Sequence, residues 1–452
     1  MTIPHTAHSR ARRTLQTIVV LALWGVITHG TFAGSGDEPH YLAIAHSVAF
    51  DGDLDLANNY GAAEPLIAGG HLTPDAHVRP GVGGTMRPVH DIGLPLLFAP
   101  YVRIAVPVTG FLTRAIPPSA MQRARLNPAV LYRHLLSLAM IALAATLAGL
   151  LFDSVTAIGA SSGFAFQTSL VVLLAPPLLI MSSLFFTELV SALLCFAVFR
   201  RLTLVDTHGS GAWALIGVAI GGLFLVHARN IGLALPLAAL AGIRLRRHGR
   251  DEQLAFTTAL LLAVLLRTWI NYEFWGTLLQ GPHARLTWVG GGQLIQVMTM
   301  RLTALLVDQE FGLLPYAPIY AVAIGGAFML ARERPQLTLA VVSVCVVYVG
   351  FIVCPITNVH GWTGGWNPAA RFLTPILPLA GFFVYAGLRG SPIVIAAPIL
   401  ALQIAISAYL WQHPKMLWKD GNGIAAFCET AAPRLRSGQA FICAWLPSFP
   451  GP

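Results

Sequence analysis

The sequence predicts an all-α integral membrane protein with about eleven transmembrane helices, and three observations lead to this prediction. First, 56% of the 452 residues are hydrophobic and only 10% are charged, against roughly one quarter charged in soluble domains. Second, the hydrophobic residues are gathered in runs that approach or reach the length needed to cross a bilayer. Third, the basic residues lie in short clusters between these runs. The net charge of +9 therefore indicates membrane topology and not a nucleic-acid partner.

The first apolar run extends from Thr14 to Phe32 and follows three arginines. A basic segment before an apolar run is also typical of a signal sequence. This run is long enough to span, however, and the residues after it lack an A-x-A cleavage site. We therefore expect a retained first helix with its N-terminus on the cytoplasmic side.

Residues 35–132 have little spanning character and are rich in Gly, Pro, Asp, Asn and His. We predict that they form one large first extracytoplasmic loop. Two stretches in this loop have the pattern of helices that lie on the membrane surface, Pro39 to Phe50 and Ile92 to Val106. The second stretch is also long enough to span, so both alternatives are compatible with the sequence.

Ten further apolar runs complete the predicted bundle. Alternation from an inside N-terminus places the arginine clusters at Arg200, Arg244 to Arg250, Arg332 and Arg389 on the cytoplasmic side. This agreement with the positive-inside rule supports the number of spans, because one missed span would invert half of the clusters. The ten runs are Arg133–Phe152, Phe164–Ser182, Phe185–Arg200, Trp213–Val226, Ile231–Ile243, Leu254–Ile270, Gly312–Leu330, Leu337–Ile356, Phe372–Leu388 and Ile393–Trp411.

The chain thus divides into a transmembrane domain, residues 1–411, and a short extracytoplasmic tail, residues 412–452. Cys428 and Cys443 lie in this tail, where an oxidising compartment would allow a disulfide. The sequence contains no internal repeat, so it lacks the signature of a repeat-based transporter.

In a chain with so few charges, the informative positions are acidic residues, histidines and arginines at the outer membrane surface. The predicted topology brings four polar segments to that surface, although they are far apart in the sequence. An apolar groove with a few convergent charged groups is the usual form of a site in a membrane enzyme. The candidate site residues are Asp37, Glu38, His40, Arg87, His90, Asp91, Glu310, His360, Trp366 and Arg371.

Asp37 and Glu38 form the most informative pair. A carboxylate held at a helix end beside the bilayer is partly desolvated, and desolvation raises its pKa toward that of a useful base. The alternative is that Asp37 only caps the helix predicted from Pro39, since Asp is a preferred N-cap residue and Pro is favoured at the first helical position. The two interpretations are compatible if Glu38 holds the geometry of the site.

Several other polar residues have both a functional and a structural interpretation. Glu188, near the outer end of a span, is expected to be paired or to reach the membrane surface as an end residue. Arg79, Arg87 and Arg371 are suited to bidentate phosphate recognition, although a single arginine is also typical of an ordinary surface position. Trp366 would stack on a sugar or belong to the interfacial aromatic belt.

Several common site patterns are absent from the sequence. Five cysteines without a C-x-x-C pair, and no His/Cys cluster at metal spacing, argue against a zinc or thiol-redox protein. The Asp51-Gly-Asp53-Leu-Asp55 segment begins like a calcium loop but lacks the later Gly and Glu of that motif, which favours a polar turn. Nucleotide use and serine-hydrolase chemistry have no support, because there is no P-loop, Rossmann glycine fingerprint or G-x-S-x-G.

The order of these elements resembles the GT-C superfamily of membrane glycosyltransferases, which includes protein O-mannosyltransferases and the bacterial lipid A aminoarabinose transferase. The N-terminal helix is followed by the acidic motif Gly36-Asp37-Glu38-Pro39-His40-Tyr41, which opens a large outer loop. His90-Asp-Ile-Gly-Leu-Pro and Gly364-Gly-Trp366-Asn-Pro-Ala-Ala-Arg371 follow, with many further spans. The match covers most of the chain. The acidic motif is short, so the order of all the elements carries the resemblance.

The resemblance implies an activity and a set of roles. In such enzymes an acidic residue of the first outer loop is the base, the donor is a sugar on a polyprenyl phosphate, and transfer usually inverts the anomeric centre. Carried onto this sequence, Asp37 would be the base, and Glu38 would orient the acceptor or help to hold a divalent cation. No other cofactor is expected. Arg87 and Arg371 are the candidates to stabilise the departing phosphate.

The resemblance also implies a location and a class of acceptor. The enzyme would lie in a bacterial inner membrane with its site facing the periplasm or exterior. The acceptor would be a lipid, a glycan or a protein of the envelope. The tail after Trp411 is too short for the soluble acceptor-binding domain that some such enzymes carry, so the sequence does not identify the acceptor.

Two other functions are compatible with the sequence. A transporter or flippase of a lipid-linked sugar would also need outward charged groups and a groove, but it should place ionisable groups near the bilayer midplane. A non-catalytic scaffold of an envelope complex would leave the Asp37 and Glu38 pair without a purpose. The sequence therefore favours a glycosyltransferase.

Overall fold

The computed structural model describes residues 5–29, 36–61, 72–73, 77–278, 291–355, 363, 367–418 and 447–449. This part of the chain is helical apart from one two-stranded sheet and the connecting segments. Seven helical stretches are long and apolar enough to cross a membrane, which indicates an integral membrane protein. They are Gly93–Ala115, Pro128–Ala157, Ala228–Leu245, Arg250–Trp275, Pro335–Val353, Arg371–Gly390 and Ile393–Gln412.

The helices are numbered in chain order, and strands β1 (Val78–Pro80) and β2 (Met86–Pro88) form a hairpin between α3 and α4. Short 3-10 helices precede α11 (Ala228–Asn230), α14 (Pro318–Ala321) and α16 (Arg371–Ile376). The helices are α1 (His5–His29), α2 (Glu38–His46), α3 (Ala57–Gly61), α4 (Gly93–Ala115), α5 (Pro118–Arg123), α6 (Pro128–Ala157), α7 (Ser162–Leu174), α8 (Leu178–Met181), α9 (Thr187–Thr203), α10 (Ser210–Val226), α11 (Ile231–Leu245), α12 (Arg250–Trp275), α13 (Gly291–Val307), α14 (Val322–Glu333), α15 (Pro335–Val353), α16 (Leu377–Gly390) and α17 (Ile393–Gln412).

Helix α1 begins at His5, ahead of the predicted start at Thr14, and therefore includes the three arginines. It packs against α6. The Gln16 side chain donates to the Ala145 carbonyl over 3.1 Å, and Arg12 pairs with Asp153 over 3.1 Å. The contact partner in α6 moves from Ala145 to Asp153 as the position in α1 moves back from Gln16 to Arg12. The two helices are therefore antiparallel. The buried stripe of α1 recurs at every third or fourth position: Leu15, Val19, Leu23 and Val26.

The predicted outer loop contains the two expected helices, but the second is longer than predicted. Helix α2 follows α1 and ends in a π turn at Ser47–Asp51. The stretch expected as a surface helix over Ile92 to Val106 is α4, which has 23 residues and continues through Pro100 and Pro107. Helix α4 is therefore long and apolar enough to cross a membrane, which agrees with the second of the two alternatives for this stretch.

The predicted span Phe164–Ser182 is not one continuous helix. Helix α7 ends at Leu174, and the short helix α8 follows. The interruption falls at Pro176 and Pro177, which lack the amide hydrogens that a continuing helix needs. The sequence pattern missed this break because hydropathy stays high across both prolines.

The predicted number of spans, about eleven, is not confirmed. The run Gly312–Leu330 is an α-helix only from Val322, after a 3-10 turn that begins at Pro318. Helix α13 was not among the predicted runs, because Arg301 and two glutamines lower its hydropathy. The described residues hold seven helical stretches of spanning length and composition.

Burial separates the helices of the core from those that face lipid. In the stretch Arg371–Gly390, which contains α16, 89% of the most apolar window is buried, against 11% for α12 and 17% for α17. Large apolar side chains such as Leu261, Leu265 and Trp269 of α12 are more than half exposed. An exposed apolar face of this kind is what lipid contact requires. Helix α16 therefore lies at the centre of the bundle, and α12 and α17 lie at its edge.

Small residues allow α14 and α16 to approach closely. A Cβ atom added at Gly326 of α14 would overlap the Phe383 carbonyl oxygen and lie 2.5 Å from the Gly387 amide nitrogen of α16. Glycine contacts of this kind let helix backbones meet in membrane proteins. The neighbouring Gly325 has no atom within 4 Å of such a Cβ, so it provides a matched control.

We predict that Gly326→Ala lowers stability by about 1–3 kcal/mol, because the added methyl group must push the backbones of α14 and α16 apart. Gly325→Ala should leave stability unchanged or slightly higher, since Ala favours the helix and meets no neighbour. The measurement is the midpoint of thermal unfolding of each purified variant in detergent. Equal midpoints for the two variants would contradict the close α14–α16 contact.

Candidate functional site

Asp37 lies directly before α2, and its side chain does not cap that helix. Its backbone carbonyl accepts hydrogen bonds from the His40 and Tyr41 amides, both at 3.1 Å. Its carboxylate makes no capping hydrogen bond with the described residues of α2. Instead, Oδ2 accepts a hydrogen bond from Nη1 of Arg371 at 2.8 Å. Asp37 therefore occupies the N-cap position, as predicted, but its side chain pairs with Arg371 and does not cap the helix.

Arg371 reaches Asp37 from 334 residues along the chain. It begins the 3-10 helix before α16 and is 3% exposed. Its Nε donates to Glu188 Oε1 at 2.6 Å, and its Nη1 also donates to Asn367 Oδ1 at 2.6 Å. The guanidinium carbon lies 4.4 Å from the centre of the Phe186 ring, a distance typical of a cation–π contact. Four different contacts thus fix the orientation of this guanidinium.

The local backbone explains why Arg371 points into the bundle. The preceding residue, Ala370, has a φ of +54°, a left-handed conformation that is uncommon for a residue other than glycine. Its amide donates to the Phe311 carbonyl at 3.0 Å. This hydrogen bond holds the strained residue, and the reversal of the chain there directs Arg371 inward.

Glu188, at the start of α9, extends the ion pair into a chain of four charges. It is 1% exposed, and its Oε1 also accepts from Nη2 of Arg229 at 3.1 Å. The guanidinium of Arg229 lies 3.6 Å from the centre of the Phe372 ring. Asp37, Arg371, Glu188 and Arg229 thus alternate in sign, as buried charges must to avoid a large desolvation cost. The expectation that Glu188 is paired is confirmed, whereas Arg229 was not among the candidates.

The β1–β2 hairpin brings two histidines to the same place. The strands are antiparallel with Val78 opposite Pro88, and the Val89 amide donates to the His77 carbonyl at 3.0 Å. His90 comes directly after this pair at the open end of the hairpin. Nδ1 of His77 and Nε2 of His90 are 2.8 Å apart. One ligand atom from each, together with one carboxylate oxygen of Asp37, lies within 4.8 Å of the others. Among the described residues, this is the group that could hold a metal ion.

His40 and Tyr41 of α2 pack on these two histidines. The His40 ring stacks on that of His77 with 3.5 Å between centres, and its Nδ1 lies 2.5 Å from the Tyr60 hydroxyl. The Tyr41 ring centre is 5.0 Å from that of His90. The predicted site residue His40 therefore supports the histidine pair from behind.

The surroundings set the ionisation of Asp37 and His40. Burial alone would raise the pKa of the Asp37 carboxyl, but the charge of Arg371 and its hydrogen bond outweigh burial, so the pKa lies below its usual range. The prediction that desolvation raises this pKa is therefore wrong, because it did not include a paired arginine. Burial, with the added charges of His77 and His90, lowers the pKa of His40 to about 3. At neutral pH Asp37 is therefore ionised, and His40 is neutral.

Glu38 makes contacts that differ from those of Asp37. It is 2% exposed, pairs with Nη2 of Arg133 at 2.8 Å, and accepts from the Phe185 amide at 3.0 Å. These contacts tie α2 to α6 and to the chain before α9. The metal-holding candidates among the described residues do not include Glu38. The geometry thus assigns it to fixing the position of α2 beside Asp37.

Asp91 likewise anchors the segment that follows the hairpin. Its Oδ1 pairs with Nη2 of Arg267 at 2.5 Å, and its Oδ2 accepts from the Ala228 amide at 2.7 Å. These contacts join the end of the hairpin to α12 and to the link between α10 and α11. The predicted site residue Asp91 therefore follows His90 directly but binds other partners than the Asp37 and Arg371 pair.

The remaining predicted residues, Arg87 and Glu310, are not part of the ion pairs between the four charges. Arg87 packs its guanidinium 5.0 Å from the centre of the Phe274 ring. Glu310 is 3% exposed and precedes Phe311, whose carbonyl holds Ala370, so its backbone borders the segment that carries Arg371. Predictions for four more residues fall outside the part of the chain that the structure describes: His360, Trp366, Cys428 and Cys443.

The Asp51-Gly-Asp53-Leu-Asp55 segment forms a polar turn, as predicted. Asp51 Oδ2 accepts from the Asn59 amide group at 2.9 Å. Asp53 Oδ1 accepts from the Ser47 hydroxyl, and Asp55 Oδ1 accepts from the Met86 amide. The three carboxylates therefore join the turn to the end of α2, to α3 and to β2.

Two residues of this cluster were missed in the sequence, Arg229 and His77. Arg229 lies in a short link between α10 and α11. A charged residue between two apolar runs is visible in the sequence and could have been included among the candidates. His77 is 13 residues from His90, and only the register of the hairpin brings the two rings together. No short motif would have revealed that pairing.

No family model matches the chain, and neither a curated protein nor a solved structure matches it. Function is therefore inferred from the sequence motifs and from the contacts described above.

We predict that Glu188→Gln lowers stability by about 3–5 kcal/mol, because it removes one partner of buried ion pairs and leaves Arg229 without a carboxylate among the described residues. The control is Glu333→Gln, which removes an exposed pair with Arg389 and should change stability little. The measurement is the thermal unfolding midpoint in detergent. If both variants unfold at the wild-type temperature, Glu188 does not hold the two arginines as described.

Proposed function

We propose that the chain is a membrane glycosyltransferase that moves a sugar from a polyprenyl-phosphate donor to an acceptor of the cell envelope, with Asp37 as general base. The observation that carries the proposal is the 2.8 Å ion pair between Asp37 and Arg371. It joins a candidate base and a candidate phosphate-binding group from distant parts of the sequence. Glycosyl transfer needs a base for the acceptor and a cation for the leaving phosphate.

In the proposed step, the Asp37 carboxylate takes the proton of an acceptor hydroxyl. The acceptor oxygen forms a bond to the anomeric carbon, and the bond between that carbon and the phosphate oxygen breaks. The electron pair of the broken bond leaves with the polyprenyl phosphate, whose negative charge increases. A single displacement of this kind inverts the anomeric centre.

Arg371 has donors left for the phosphate. Its Nε and Nη1 contact Glu188, Asp37 and Asn367, and no described residue accepts a hydrogen bond from Nη2. Since a guanidinium has five N–H donors, a phosphate oxygen can bind at Nη2. A bound phosphate would also compete with Asp37 for Arg371, which leaves the carboxylate better able to accept a proton.

Glu188 supports this role by holding the guanidinium from the opposite side. It binds Nε of Arg371, and the Phe186 ring covers one face of the same group. A guanidinium fixed in advance need not reorganise when charge develops on the phosphate, which is the main source of electrostatic catalysis. Glu188 is therefore a positioning residue in the proposal.

The proposal places the site on the extracytoplasmic side of a bacterial inner membrane. Helices α9, α11 and α16 each begin next to the four-charge chain and end at arginines, at Arg200, Arg244 and Arg389 respectively. Arginine-rich ends belong on the cytoplasmic side. The opposite end, which carries Asp37, would then face the periplasm or exterior, where envelope acceptors are found.

The alternative of a transporter or flippase is less well supported. A transporter would place its ionisable groups near the middle of interrupted spans. Asp37, Glu188 and Arg371 instead lie at the beginnings of helices. Charges collected at one end of the bundle favour chemistry at a membrane surface over passage through the membrane.

We predict that Asp37→Asn reduces transfer at least about a hundredfold at neutral pH, because an amide cannot accept the proton of the acceptor. The measurement is the release of polyprenyl phosphate from a radiolabelled lipid-linked sugar by purified protein in detergent. Donor binding should change less than turnover.

The control for this variant is Asp153→Asn. Asp153 also pairs with an arginine, Arg12, but it lies on α6 twenty residues beyond Arg133, roughly 30 Å along the helix. It should retain wild-type transfer. Wild-type turnover by Asp37→Asn would remove the central residue of the proposed function.

A further inference from the structure

The His77, His90 and Asp37 side chains form a group with the composition of a metal site. Two imidazole nitrogens and one carboxylate oxygen lie within 4.8 Å of one another. Two histidines and one carboxylate are a common protein ligand set for divalent transition metals, and they leave coordination positions open. The group adjoins the Asp37–Arg371 pair, so a metal bound there would be at the centre of the proposed site.

The distances are compatible with coordination. Zn–N bonds are about 2.0–2.1 Å, so two nitrogens at tetrahedral angles are roughly 3.3 Å apart. Nδ1 of His77 and Nε2 of His90 share a hydrogen bond of 2.8 Å. A metal ion would replace the proton between them, and the two nitrogens would separate by about 0.5 Å. Both rings belong to the open end of a short hairpin, where such a change needs no rearrangement of a helix.

The ligand side chains are also held by neighbouring residues. His40 stacks on His77, Tyr41 packs against His90, and Arg371 binds Asp37 through Oδ2. These neighbours fix the orientation of the two rings and of the carboxylate, which is one part of what residues around a metal site provide. Since a carboxylate has two oxygens, Asp37 can contact Arg371 and a metal ion together.

We infer that the chain binds one divalent transition metal ion, of the zinc class, through His77 Nδ1, His90 Nε2 and the Asp37 carboxylate. Imidazole ligands favour zinc and related metals over Mg²⁺ and Ca²⁺. The inference deepens the proposed function and rests on it for the role of the ion, which would bind a substrate oxygen at an open position. It differs from the sequence-based expectation, in which Glu38 would help to hold a cation.

The test uses the full-length protein, purified in detergent with a tag that contains no histidine and treated with a chelator. Co²⁺ is the probe, because its visible absorption reports coordination. We expect saturable binding of one Co²⁺ per chain, displaced by Zn²⁺ and unaffected by excess Mg²⁺. His77→Gln and His90→Gln should each weaken binding by at least about tenfold to a hundredfold.

The matched control is His46→Gln. His46 is a buried histidine of the same helix as His40, and its Nε2 is bonded to the Tyr132 hydroxyl at 2.8 Å. It does not belong to the metal-holding group, so its loss should leave Co²⁺ affinity unchanged. Equal loss in this variant would assign the effect to folding and would count against the site.

X-ray absorption of the zinc-loaded wild-type protein keeps the test independent of variants that fail to fold. It should show two imidazole nitrogens and at least one oxygen at about 2.0–2.2 Å. The inference is overturned if the wild-type protein binds no stoichiometric metal, or if both histidine variants retain wild-type affinity. Metal binding is measured without donor or acceptor. A protein that binds no metal would therefore overturn this inference, while the proposed transfer activity would still be tested by the Asp37→Asn assay.

Discussion

The buried guanidinium of Arg371 is the group on which the packing at its end of the bundle depends. A charge with 3% of its surface exposed is tolerated only with close opposite charges, and here Glu188 and Asp37 supply them. These partners come from the start of α9 and the start of α2, while Arg371 leads into the central helix α16. The same contacts that satisfy its charge therefore fix where three segments meet. Any function of this surface has to use, or compete with, those contacts.

The parts of the fold that depend on local composition could be predicted from the sequence. Hydropathy predicts a helical membrane protein, and the positions of the arginines predict that Arg200 and Arg389 lie at the same end of the bundle. They also predict that Asp37 and Arg371 lie at the opposite end, where the structure joins them. The number of spans was less predictable. Prolines at 176 and 177 interrupt one run, and polar residues concealed α13, so hydropathy alone did not set the helix boundaries.

The parts that depend on tertiary packing could not be predicted. His77 meets His90 only because a hairpin with three-residue strands pairs in one particular register. No local sequence pattern specifies that register. Arg229 joins the cluster because the link between α10 and α11 packs beside α9. Glu38 is adjacent to Asp37 in sequence, yet a helix directs neighbouring side chains to different faces. Glu38 therefore binds Arg133. Its place next to Asp37 in the sequence suggested that the two carboxylates share one site, and their contacts in the structure differ.

The central claim is that Asp37 and Arg371 act as one unit on the donor and acceptor. A double-mutant cycle tests it most directly, with kcat/KM for polyprenyl phosphate release measured for wild type, Asp37→Asn, Arg371→Lys and the double variant. Lysine keeps the charge but loses the fork geometry of arginine. Residues that act as a unit are strongly non-additive, so the double variant should lose little more than the worse single variant. A loss equal to the product of the two single losses would contradict the account.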